Sequence, residues 1–249
     1  MTLPSSINTI FFDADDTLYS IRGSIGERYA PHFNKYGYEI SPEKLNTVVW
    51  DCWKGITGTY ENKENDYICN HDRDMRVWKE FVSLVTASFS EINPSTELFE
   101  SIYEDFATAN SRTLEPGIVD LLSFLTSKGF TLGVFTNNDK RIHRLLPDLG
   151  IAKYFKQIYC ASDVGYKKPS PKGFEFIAHS LDEDPSKMLY VGDAFEIDVV
   201  GAQSAGWHAA HYCPKNRPKG STSPKTEDIS RENLSYITIS DFLDFKASI

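Results

Sequence analysis

Two aspartates separated by a single residue, in the run Asp13-Ala14-Asp15-Asp16-Thr17, are the first feature of this sequence that could do chemistry. In an extended chain residues i and i+2 point the same way, about 7 Å apart, so both carboxylates can address one cavity. At that spacing they repel, and something cationic must compensate. Taken alone, such a triplet is ordinarily a solvated turn with helix-capping acids. Three later stretches change the balance. Thr136-Asn137-Asn138-Asp139 offers a hydroxyl and amides after an apolar run, where a simple strand-to-helix cap would also serve. In Gly165-Tyr166-Lys167-Lys168-Pro169 the proline bars Lys168 from helical geometry, which predicts an extended segment; without context that lysine would be read as solvated. Gly192-Asp193-Ala194-Phe195-Glu196-Ile197-Asp198 again places acids after an apolar run, and Asp198 also suits the first turn of a helix.

The elements that must position these residues are legible from hydrophobic periodicity. Residues 7–12, 131–136, 157–160, 188–191 and 207–212 read as strands. Between them lie helical patterns over 116–128, a stretch after Asp139 carrying Ile142, Leu145, Leu146 and Leu149, a stretch carrying Phe174, Ile177, Ala178 and Leu181, and 196–205. Regular alternation predicts an α/β fold, a doubly wound Rossmann-like parallel sheet, and all four polar clusters then fall on the rim formed by the strands' C-terminal ends. Residues from about 20 to 112 break the alternation. They show no convincing strand and four helical patterns, 24–36, 41–56, 72–89 and 94–109, with Ser41-Pro42 as a cap and first-turn proline. An all-helical insert, 20–112, is therefore expected within a core made of 1–19 and 113–249.

DADDT, TNND, GYKKPSP and GDAFEID, in this order, resemble the four motifs of the haloacid dehalogenase superfamily, and within it the chain is most similar to the haloacid dehalogenase-like hydrolase domain-containing protein 3 group. The resemblance runs from Ile7 to at least Tyr212. It implies a magnesium-dependent phosphatase acting on a small phosphomonoester. Asp13 matches the nucleophile that becomes an aspartyl phosphate, and Asp15 the general acid/base. Thr136 and the backbone N–H of Asn137 match the phosphate-binding positions, and Lys168 the cation that offsets charge on phosphate and nucleophile. Asp13, the main-chain carbonyl of Asp15, and Asp193 match the ligands of Mg2+, with Asp198 behind them, bonded to a metal water or to Lys168. The resemblance also implies that dehalogenases lack the second aspartate, because a halide departs without a proton. The insert matches a helical cap of the C1 type, in which specificity would reside; Arg22, Arg28, Tyr60, Tyr67, Arg73 and Arg76 are the polar or aromatic candidates there, while Trp50, Trp53 and Trp78 are expected to be bundle core.

Composition bounds what else the chain could be. It has 249 residues, 41% hydrophobic and 24% charged, so it can bury a core and is neither collagenous nor disordered. A net charge of -9 disfavours non-specific binding to nucleic acid or anionic membrane. Cys52, Cys69, Cys160 and Cys213 are scattered without a CxxC pair and are expected to be buried, reduced thiols. No run approaches the ~18 apolar residues of a membrane span, and no signal peptide opens the chain; a cytoplasmic protein, monomeric or weakly homo-oligomeric, is expected. His71-Asp72 lacks the partner clusters of a metal-dependent phosphohydrolase site. His208 and His211 would project to opposite strand faces, and the basic stretch Lys215, Arg217, Lys219, Lys225 is expected to be solvated. A binding or scaffold protein on the same fold, and a phosphosugar mutase, are the alternatives in function.

Overall fold

The computed structural model describes residues 4–60, 66–92, 95–215, 235–247 and 249. Along the chain β1 (Thr9–Phe12) is followed by β2 (Tyr19–Ile21), then by α1 (Ile25–Lys35), α2 (Pro42–Tyr60), α3 (His71–Ala87) and α4 (Thr96–Asp105), and by β3 (Arg112–Leu114). An alternating series comes next: α5 (Ile118–Ser127), β4 (Thr131–Thr136), α6 (Ile142–Asp148), β5 (Gln157–Cys160), α7 (Ala161–Val164), α8 (Pro171–Leu181), β6 (Met188–Gly192), α9 (Gly201–Ser204) and β7 (His208–Tyr212). The chain closes with β8 (Ile237–Ile239) and α10 (Phe242–Ala247).

Six strands form one parallel sheet in the order β5-β4-β1-β6-β7-β8, the Rossmann-like architecture expected. Phe12 sits opposite Val134 on one side and Val191 on the other, so β1 is central. Successive side chains along the strands feed opposite cores. Phe12, Val134, Leu189 and Val191 pack with Leu121, Leu125 and Leu145, while Phe11, Phe135, Met188 and Tyr190 pack with Phe174, Ile177 and Trp207. Burial on both faces is why these strands read as continuous apolar runs. Gly133 is dictated by this packing: a Cβ there would lie 2.3 Å from the Phe11 ring.

The inserted helices build a third core of their own from Tyr29, Phe33, Leu45, Phe81, Val85, Leu98 and Ile102. Ser41 caps its helix as the sequence suggests, and the other starts are capped by Ser24 with Glu27, by Asn70 and by Ser95. Trp53 and Trp78 stack at 5.4 Å and are half-buried. Two expectations need correction here. The ends of the insert do contain strands: β2 and β3 pair antiparallel, Ile21 opposite Arg112, forming a two-stranded ribbon through which the chain enters and leaves the helices. Three residues are too few for an alternation signal, and each strand's partner lies about 90 positions away. Nor are all the cysteines buried, since Cys52 and Cys213 are half-buried; all four are free thiols.

The pattern over 196–205 also departs from a plain α-helix. It opens as a π-helical stretch, Phe195–Val200, before α9. Such widened turns recur at functional sites, and this one carries Asp198. The tail elements β8 and α10 escaped the sequence reading, and Arg217, Lys219 and Lys225 lie outside the described residues. Among those described, no helix is long and apolar enough to cross a membrane.

Candidate active site

Three strand ends and the connection between α7 and α8 bring the polar clusters together. Asp13 continues β1, its N–H bonded to the Val191 carbonyl at 2.8 Å; Thr136 ends β4, and Asp193 follows β6. Lys168 arrives in a turn before α8, closed by the Ser170 N–H on the Lys167 carbonyl at 3.1 Å, and not on the extended segment expected. Lys168 is 2% exposed and its ammonium makes three hydrogen bonds, to Asp13 Oδ1 at 2.7 Å, to Asp198 Oδ1 at 2.6 Å and to Tyr190 Oη at 2.6 Å. An ammonium has three donors, so this one is saturated. The lysine is thus neither solvated nor idle.

Backbone placement of Lys168 comes from Asn137, whose side-chain oxygen accepts the Lys168 N–H at 2.7 Å and whose amide donates to the Lys168 carbonyl at 2.9 Å. The sequence reading assigned Asn137 only through its backbone; this clamp was missed. Thr136 is buried, its hydroxyl accepting from the Asn138 N–H at 3.1 Å. Asn138 in turn donates to Asp15 Oδ2 at 2.9 Å, and the Arg112 guanidinium lies 3.7 Å from Asp15 Oδ1. Asp15 is the more open acid, its side chain 33% exposed.

Asp13, Asp193 and Asp198 offer carboxylate oxygens that all lie within 4.8 Å of one another. Asp198 uses both of its oxygens, Oδ1 for Lys168 and Oδ2 for the Ala194 N–H at 2.9 Å. Its approach requires Gly192, where a Cβ would sit 2.3 Å from Asp198 Oδ2. Thr17 donates to Asp193 Oδ1 at 3.4 Å, and His211 Nε2 lies 3.0 Å from the Asp193 carbonyl. His208 instead faces the Ser186 carbonyl, so the two histidines do serve different surroundings.

Two buried carboxylates, Asp13 and Asp198, thus share one ammonium with Asp193 close by, and the titration reflects it. Burial pushes the Asp13 carboxyl up to about 7, with Lys168 opposing and Asp198 and Asp15 adding to the rise. Burial likewise raises Asp198 and Asp15, opposed chiefly by Lys168 and by Arg112 respectively. At Lys168 burial works to lower the ammonium's value, but Asp13 and Asp198 outweigh it and hold it above the ordinary one. Hard oxygen donors with an excess of negative charge fit a magnesium ion better than a softer metal.

The helical insert abuts this rim. Cys69 N–H bonds the Gly165 carbonyl at 3.0 Å and Lys167 N–H bonds the Tyr67 carbonyl at 2.9 Å, so a short antiparallel bridge joins the insert to the segment carrying Lys168. Of the insert's polar candidates, Arg22 bonds the carbonyls of Arg112 and Ala109, Arg28 pairs with Asp105, and Arg73 bonds the Ile68 carbonyl. Arg76 is exposed, and the Tyr60 side chain lies outside the described residues. A stronger contact, which sequence reasoning missed, is made by Arg141. It forms a two-pronged ion pair with Asp139 and stacks on the rings of Tyr103, at 3.9 Å, and Trp78, at 4.5 Å.

A family model described as haloacid dehalogenase-like hydrolase matches residues 7–206. Haloacid dehalogenase-like hydrolase domain-containing protein 3 of Xenopus laevis is 28% identical over 217 residues, 86% of this chain and 87% of that protein. The phosphoglycolate phosphatase of Escherichia coli is 33% identical over 149 residues, 59% of this chain and 56% of its own. Among solved structures, the HAD-hydrolase YfnB of Bacillus subtilis bound to magnesium shares the fold at a TM-score of 0.71 and 18% identity, covering 97% of each chain. L-2-haloacid dehalogenase of Xanthobacter autotrophicus does so at 0.70 and 15%, again over 97% of each.

Proposed function

The chain belongs to the haloacid dehalogenase-like hydrolases, and from that premise we propose that it is a magnesium-dependent phosphatase hydrolysing a small phosphomonoester through an aspartyl phosphate on Asp13. The observation that carries this reading is the second carboxyl, Asp15, two residues beyond the nucleophile and held by Asn138. An ester's alkoxide needs a proton to leave and a halide does not. The phosphoglycolate phosphatase among the relatives agrees with this choice.

In the proposed reaction an Asp13 oxygen attacks phosphorus while the Asp15 carboxyl hands its proton to the departing ester oxygen. Asp15, now ionised, takes a proton from water as that water attacks the aspartyl phosphate, releasing inorganic phosphate and restoring Asp13. Lys168 offsets the charge of the approaching anions, and Thr136 with the Asn137 N–H holds a phosphoryl oxygen. Asp13, Asp193 and the Asp15 carbonyl would hold Mg2+, with Asp198 behind them; when bound, the ion supplies Lewis-acid stabilisation of phosphoryl charge. Residues 20–112 would act as the cap, with 1–19 and 113–249 as the catalytic core, its closure excluding water and selecting the leaving group.

The test is a panel of phosphorylated metabolites assayed for phosphate release with magnesium, comparing the native protein with Asp13→Asn. Magnesium-dependent release by the native protein alone supports the proposal. Release unaffected by Asp13→Asn or by chelator sinks it. Accumulation of a rearranged phosphosugar would instead point to phosphoryl transfer, and absence of any turnover to a binding role.

A further inference from the structure

A second cluster of ligand-type side chains gathers at the end of β5. Cys160 is the strand's last residue, Asp163 lies in the single turn α7 that follows, and His143 lies in the first turn of α6. Asp163 Oδ2 is met by His143 Nε2 at 2.7 Å, by the Cys160 N–H at 2.9 Å and by the Cys160 thiol at 3.1 Å, and Ser162 Oγ stands 3.3 Å from the same sulfur. One nitrogen, one sulfur and one oxygen donor thereby fall within 4.8 Å of one another. A capping box accounts for the Asp163 contact with the Cys160 N–H. The same box sets the Cys160 side chain toward the Asp163 backbone N–H, though a thiol is not among the favoured caps; it does not account for the imidazole on the same oxygen.

We propose that His143, Cys160 and Asp163 form a binding site for a divalent transition cation of the zinc type, separate from the acidic cradle around Asp13. The donor set decides the class of ion: nitrogen and thiolate suit zinc, whereas magnesium takes oxygen octahedra. A tetrahedral ion with bonds of about 2.0–2.3 Å spaces its ligands at roughly 3.3–3.6 Å, so the present contacts need open by only about half an ångström. Burial raises Asp163, but hydrogen bonds from His143 and Cys160 outweigh it and bring it down to about 2. Burial pushes the Cys160 thiol up to about 12, so the cation itself must displace the thiol's proton. The His143 side chain is 41% exposed and that of Asp163 24%, which gives an ion a route in from solvent. On binding, the Cys160 S–H bond is exchanged for S–Zn and one proton passes to solvent. His143 binds through Nε2 with its hydrogen on Nδ1, no electrons change hands, and water or Ser162 can take the fourth position.

Zinc is titrated into the full chain against a chromophoric chelator, with magnesium in large excess to fill the acidic cradle. One equivalent of zinc should bind to the native protein and to Asp13→Asn, with affinity reduced more than about tenfold in His143→Gln and in Cys160→Ser. Cobalt in place of zinc should give sulfur-to-cobalt charge-transfer absorption in native protein and Asp13→Asn, and none in Cys160→Ser. His143→Gln alters an accessible side chain, so its result stands even where Cys160→Ser perturbs folding. No uptake of zinc, uptake indifferent to both ligand substitutions, or uptake abolished by Asp13→Asn would each overturn the proposal.

Discussion

Tyr190 accepts a hydrogen bond from Lys168 Nζ at 2.6 Å and donates its own O–H to the Phe135 carbonyl at 2.5 Å. Burial and the neighbouring aspartates hold the phenol well above its ordinary value, so it stays neutral in both contacts. The side chain of a central strand thus fixes where the ammonium stands. In Tyr190→Phe one donor of a buried ammonium loses its partner, at a cost of roughly 1–3 kcal/mol. Denaturant unfolding should show that loss, and phosphate release should fall while its requirement for Asp13 persists. An unchanged midpoint and rate would show that Tyr190 does not position Lys168.

Asp15 should matter in proportion to how badly the leaving group needs a proton. For Asp15→Asn we expect a loss of about 100-fold or more on alkyl phosphates, shrinking for aryl phosphates whose phenolate departs unaided. Rates measured across a leaving-group series should therefore give a steeper dependence on leaving-group acidity in the variant. Parallel lines for the two proteins would remove Asp15 from proton transfer.

How much of this was legible beforehand follows from the range of each interaction. Strands such as Thr131–Thr136 announce themselves because both faces are buried, and Asp13, Lys168, Asp193 and Asp198 because a motif fixes their order in the chain. The partners that hold those residues carry no local signal. Asn137 is 31 positions from Lys168, Arg112 is 97 from Asp15, and Tyr190 reads as one more apolar strand residue. The ribbon β2–β3 was invisible for the same reason, since three-residue strands acquire meaning only when paired.

His32 should make the insert sensitive to acid. Burial holds its imidazole below the ordinary 6.5, Arg28 and Lys35 reinforcing and Asp105 opposing, while Ser101 lies 2.7 Å from Nδ1. The unfolded chain therefore takes up the proton more readily than the folded one. Stability contributed by the neutral form is complete above the unfolded value and is lost as pH falls below it toward the folded value. Unfolding curves between about pH 7 and about pH 5 should show a steeper decline for the native protein than for His32→Gln. Equal slopes would mean that His32 is not protonated on unfolding.

Arg141 ties the inserted helices α3 and α4 to the segment after β4, and its removal should be felt on both sides. It is 9% exposed, Asp139 only 1%, and the guanidinium lies between the rings of Tyr103 and Trp78 while donating to the Tyr103 carbonyl at 3.1 Å. Asp139 also accepts from Tyr103 Oη at 3.2 Å. In Arg141→Leu the Asp139 charge is left buried without its counter-ion, at a cost of roughly 3–5 kcal/mol, whereas the pair Asp139→Asn with Arg141→Leu removes that penalty and should recover much of it. The stacking contacts go in both variants. Attachment of the helices to the rim should therefore stay loosened in the double variant, read as faster amide exchange in α3 and α4 at nearly native global stability. If the double variant is as unstable as the single one, packing on the two rings, and not the ion pair, is what Arg141 contributes.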